Sequence, residues 1–72
     1  MDFRTLRRRS KLSQYRLSKL SGVNQTTISQ LELGKVRDPR WSTIAALAAI
    51  LNTTPGVVAK AIEHTKVHES AA

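Results

Sequence analysis

Four short, uncharged side chains stand where recognition chemistry could be done: Gln25, Thr26, Ser29 and Gln30. At about 100° of rotation per residue they share one helical face, opposite Ile28 and Leu31. Each offers donors and acceptors together. A glutamine amide can donate to and accept from the N7/N6 edge of adenine, and a threonine presents a hydroxyl and a methyl that suit thymine. The same face would also serve as plain solvated surface, so the elements that position it must decide.

Those elements follow from apolar spacing and caps. Phe3, Leu6 and Ser10 mark a first helix, closed by Leu12. Ser13 is a good N-cap for a second helix carrying Leu17 and Leu20. Ser21-Gly22 breaks the pattern, and Gly22 suits a turn with positive φ. Asn24 caps a third helix that buries Ile28 and Leu31 and stops at Gly34. Residues 34–40, Gly-Lys-Val-Arg-Asp-Pro-Arg, read as a loop because Pro39 biases Asp38 away from helical angles. Trp41 opens a fourth helix with Ile44, Leu47, Ala48 and Leu51 along one side, and its phase with Leu47 and Leu51 places Trp41 in the core. Thr54-Pro55 caps and begins a fifth helix whose apolar side is Val58, Ala61 and Ile62. The expected fold is all-α: one compact five-helix domain over residues 1–66, with helices 2 and 3 as a helix-turn-helix and a frayed tail at 67–72.

Charge points the same way as the polar face. The net charge is +7 over 72 residues. Residues 1–40 hold ten Lys and Arg against Asp2, Glu32 and Asp38, which accounts for the whole excess, whereas residues 41–72 set Lys60 and Lys66 against Glu63 and Glu69. One face made to meet a polyanion and a neutral half that builds structure would give this asymmetry, as would a basic surface kept for solubility. Arg8, Arg9 and Lys11 form a basic run open to both readings.

Other functions find little support. Five acidic residues with no Ser/His/Asp set, no phosphate-cradling glycine loop and no metal cluster speak against an enzyme. With no cysteine, disulfides and thiolate sites are excluded. His64 and His68 stand four apart, a helical zinc spacing, but lack a third ligand. No metal, cofactor or small-molecule ligand is expected. No apolar run approaches the ~18 residues of a membrane span, and the charged N-terminal segment does not read as a signal peptide, so a cytoplasmic location is expected.

Taken with their spacing, Leu6-Arg7, Leu12-Ser13-Gln14, Leu17-Ser18, Gly22-Val23, Thr27-Ile28-Ser29, Leu31-Glu32 and Gly34-Lys35 resemble the Cro/repressor (xenobiotic-response-element) family of helix-turn-helix proteins, whose relatives include the lambda-type phage repressors. Pro39, Ile44, Leu47-Ala48 and Leu51 continue the resemblance, which covers about residues 3–62. It implies a lambda-repressor-like fold and roles for single positions. Gln25, Thr26 and Gln30 match positions that touch base edges. Gln14 matches a residue that bonds to a phosphate and braces the reading helix. Asn24, Thr27, Lys35 and Arg37 match backbone contacts, and Arg40 matches a residue that in some members enters the narrow minor groove, where negative potential is enhanced. Arg7 and Glu32 match an ion pair between first and third helices.

Three positions depart from the family pattern. Ser18 replaces the usual alanine where the two helices cross, so its hydroxyl needs a partner. Leu33 replaces a polar residue, and Arg40 stands where a serine often caps the fourth helix. The function implied is a double-stranded-DNA-binding transcriptional regulator, a repressor acting as a homodimer on a pseudo-palindromic operator. Val57, Val58 and Ile62 are its expected dimer contact. The alternative is a protein-interaction module on the same fold, such as an antitoxin masking a toxin, or an anti-repressor.

Overall fold

Five helices follow one another in the computed structural model: α1 (Phe3–Arg9), α2 (Gln14–Ser21), α3 (Gln25–Glu32), α4 (Trp41–Ile50) and α5 (Pro55–Ala71). The structure describes the backbone of residues 1–36 and 38–71 and the side chains of residues 1–36 and 38–65. Among the described residues there is no strand, and no single helix is long and apolar enough to cross a membrane. The tail expected to fray, 67–72, and the His68 half of the histidine pair lie where side chains are outside the described residues.

Local chemistry sets each boundary. Four helices begin on a side chain that accepts from an otherwise unpaired first-turn N–H: Asp2 from Thr5 at 2.9 Å, Ser13 from Arg16 at 3.1 Å, Asn24 from Thr26 at 2.8 Å and Thr54 from Val57 at 3.2 Å. Only α4 begins without one, at Arg40. Between α2 and α3 the chain turns through Gly22 at φ +78°, where a Cβ would be strained by the backbone although no neighbour obstructs it. The first helix ends earlier than its spacing suggested. Ser10 is its C-cap and Lys11 takes a left-handed φ of +59°, so Leu12 lies in the connection and packs half-buried against the core.

Every helix, or the residue that ends it, sends side chains into a single core. Phe3, Leu17, Ile28, Leu31, Leu47 and Val58 are its largest fully buried members, joined by Leu6, Ile44, Ala48, Leu51, Ala61 and Ile62. α5 packs against α1, α3 and α4, while α2 packs against α3 and α4. The buried Thr65 hydroxyl ties the two ends of the fold together. It accepts from the Phe3 N–H at 3.0 Å and donates to the Ala61 carbonyl at 3.0 Å.

Three expectations about burial are corrected. Trp41 is 64% exposed. As the first residue of α4, it has a side chain that leans toward the helix N-terminus, where no preceding turn exists for it to cover. Leu20 is 51% exposed, so α2 sends Leu17 and not Leu20 inward. Val58 and Ile62, expected at a dimer contact, are 0% and 2% exposed and belong to the chain's own core, leaving Val57 at the surface.

Candidate nucleic-acid interface

The outer face of α3 is bare and polar. Gln25, Thr26 and Gln30 are exposed and Ser29 is half-buried. With Gln14 at the start of α2, they line one open polar depression. None of the four α3 side chains makes a hydrogen bond within the described residues, so their donors and acceptors remain available to a ligand. Ile28 and Leu31, on the other side of the helix, are fully buried. The spacing read from the sequence therefore brings these side chains together on the face opposite the core.

Both ends of this short helix are pinned. At its N-terminal end the turn is held by two serines of α2. Ser18 Oγ donates to the Val23 carbonyl at 2.6 Å, and Ser21 Oγ accepts from the Val23 N–H at 3.2 Å while donating to the Leu17 carbonyl at 2.6 Å. The partner that Ser18 requires is thus a backbone oxygen of the turn. Asn24 then caps α3, so its side-chain oxygen is taken up within the chain.

At the C-terminal end a buried carboxylate gathers α1, α2 and α3. Glu32 Oε2 accepts from Arg7 Nε, and Oε1 accepts from Arg7 Nη2 at 3.2 Å, Gln14 Nε2 at 3.1 Å and Arg4 Nε at 3.3 Å. Arg7 Nη1 donates onward to the Leu12 carbonyl at 2.7 Å. The Glu32 side chain is 1% accessible and that of Arg7 11%. Burial alone would push the Glu32 carboxyl up. Hydrogen bonds from Arg7 and Gln14, the Arg7 charge and the bond from Arg4 outweigh it and hold the carboxyl below its ordinary range. A four-bond carboxylate with a bidentate guanidinium is the geometry in which a buried pair is satisfied.

The remaining positions flank α3. Gln14 directs its amide nitrogen at Glu32 and at the same time borders the polar depression. Lys35 is exposed just past α3, its N–H held by the Gln30 carbonyl at 2.9 Å. Arg40 is exposed at the start of α4, Thr27 is half-buried and Leu33 is exposed. Arg37 lies outside the described residues. Sequence reasoning did not single out Arg4, the Asp2 cap or the Thr65 link. An Asp immediately before the first apolar position of the helix carries a cap signal that could have been read, whereas Arg4 and Thr65 depend on contacts 28 and 62 residues away in the chain.

An all-α bundle whose second and third helices meet at a tight turn, with a bare polar face on the third, defines a helix-turn-helix domain of the DNA-binding Cro/repressor type. A family model described as a helix-turn-helix domain matches residues 2–61, and the chain belongs to that family. Over 50 residues it is 46% identical to a protein of Bacillus subtilis (strain 168) described as an uncharacterized HTH-type transcriptional regulator, RghRB. That alignment covers 69% of this chain but 36% of the relative, so the chain spans about a third of that protein's length. No solved structure matches the chain.

Proposed function

We propose that this chain is a sequence-specific double-stranded-DNA-binding transcriptional regulator, a repressor that inserts α3 into the major groove. One observation carries the reading: the unpaired polar face of Gln25, Thr26, Ser29 and Gln30 lies within the half of the chain that holds the whole excess positive charge. Gln25, Thr26, Ser29 and Gln30 read base edges. Gln14, Asn24, Thr27, Lys35 and Arg37 hold the phosphate backbone, and Arg40 enters the adjacent minor groove. Backbone contacts fix register and base contacts carry sequence information.

The regulator acts as a homodimer on a pseudo-palindromic operator, its half-sites about one helical turn apart. An open, mostly apolar depression on α5, lined by Met1, Val57, Lys60, Ala61, Glu63 and His64, favours a protein contact there. The same depression supports the second reading, an antitoxin-like module that covers a protein partner. Selection from random duplex DNA followed by a salt titration tests the proposal. For about six phosphate contacts, log K falls against log salt with a slope near −5. A slope near zero, or no enriched sequence, refutes DNA reading and leaves the protein-interaction module.

A further inference from the structure

Arg4 is a surplus charge in the network beneath α3. The single negative charge of Glu32 is met by Arg7 through Nε and Nη2, and Gln14 fills a further lone pair on Oε1. Arg4 adds only its Nε to that same oxygen, at 3.3 Å, and its side chain is 48% accessible against 11% for Arg7. The other nearby acid, Asp2, spends its carboxylate on the Thr5 N–H and forms no ion pair with Arg4 among the described residues. Both Nη atoms of Arg4 thus make no hydrogen bond to any described residue. Arg4 Nε and Gln14 Nε2 lie within hydrogen-bond reach of one oxygen, and Gln14 borders the depression formed by Gln25, Thr26, Ser29 and Gln30. A half-exposed guanidinium held through Nε, with neither Nη atom bonded to any described residue, close to the residues of a reading face, has the form of an oriented phosphate binder.

We propose that Arg4 is a phosphate clamp, oriented by Glu32 and closing on the DNA backbone beside the entry of α3 into the groove. The inference rests on α3 reading duplex DNA, and it assigns a contact to a helix outside the helix-turn-helix itself. Arg4 touches no base edge, so it adds affinity and salt dependence but no sequence preference. Glu32 keeps Arg7 and Gln14 when Arg4 is lost, so the fold does not depend on it.

The test compares the parent with Arg4→Gln and Arg4→Lys, on the operator selected from random DNA and on a scrambled duplex. Arg4→Gln weakens both duplexes by a similar factor, roughly five- to tenfold at ~0.1 M salt, and makes the salt slope shallower by about one. Arg4→Lys, which keeps the charge, holds the parental slope. Both variants keep a melting temperature close to the parent, and the ratio of operator to scrambled binding does not move. An unchanged slope in Arg4→Gln overturns the proposal and leaves Arg4 as a third arm of the ion pair. A changed operator-to-scrambled ratio also overturns it, since that would make Arg4 a reader. Failure of DNA reading itself is seen separately, as a parental slope near zero.

Discussion

Removing the carboxylate of Glu32 strands several donors at once. In Glu32→Ala, Arg7 keeps only the bond from Nη1 to the Leu12 carbonyl, while its Nε and Nη2 lose their acceptor in a site where the side chain is 11% accessible. Gln14 Nε2 and Arg4 Nε lose theirs as well. Breaking a buried pair from one side costs about 3–5 kcal/mol, because the remaining charge stays buried without compensation. A domain of this length is stable by about 4–11 kcal/mol in all, so the variant approaches the edge of folding. At about 4–8 °C per kcal/mol, melting followed by far-ultraviolet circular dichroism should fall by about 12 °C or more. Glu32→Gln keeps the shape and part of the hydrogen bonding and should lose less. The pH dependence carries the sign of a carboxyl held low in the folded state: its stabilisation is present above the ordinary value of 4.5 and is lost as pH falls through the lower folded value. The gap in stability between the parent and Glu32→Gln should therefore narrow below that pH. If Glu32→Ala melts with the parent but no longer binds the operator, Glu32 belongs to the contact surface and the bracing argument fails.

Other perturbations separate reading, clamping and turn geometry. Gln25→Ala should cost about 1–3 kcal/mol on the selected operator and relax preference at one base pair per half-site, measured against every single-base variant. Lys35→Ala should weaken all duplexes alike and flatten the salt slope by about one; a swap of these two outcomes would invert reader and clamp. Ser18→Ala leaves the Val23 carbonyl without the hydroxyl it accepts from and should cost about 1–3 kcal/mol by chemical denaturation. An unchanged midpoint would mean that water takes over the bond. Val57→Asp should weaken operator binding more than binding to an isolated half-site if α5 carries the dimer, and equal losses would place the dimer contact elsewhere.

Helix positions were legible where caps and periodicity agree. Ser13, Asn24 and Thr54 each cap the helix their side-chain chemistry suggests, and Ile28 and Leu31 define the inward face of α3. Phase alone misled at helix ends. Trp41 shares the angular position of core residues, yet it stands in the first turn with nothing behind it to cover, and Leu12 keeps apolar contact after α1 has already ended. Periodicity assigns a face, but not whether a neighbouring element extends far enough to meet it. Val58 and Ile62 show the converse. An apolar side on α5 leaves open whether its partner is the chain's own core or another molecule, and here it is the core.

The polar site was legible in kind but not in mechanism. The residue types of α3 announce hydrogen-bonding capacity, and spacing shows that they share a face, but neither says what keeps eight residues of helix in one orientation. Two fully buried apolar side chains, Ile28 and Leu31, set the inward face of such a helix but supply no directional contact against a small roll about its axis. A roll would turn the Gln25 and Gln30 amides away from any base edge that they are proposed to read, and hydrogen bonds weaken steeply once misaligned. The structure opposes it with polar contacts at both ends, Val23 held by Ser18 and Ser21 before the helix and Glu32 held by Arg7, Gln14 and Arg4 at its last residue. Directional bonds at two separated points fix rotation as well as position, which non-directional apolar contact does not. Glu32 is therefore buried among donors from two other helices because its charge supplies an orientation that a leucine there would not.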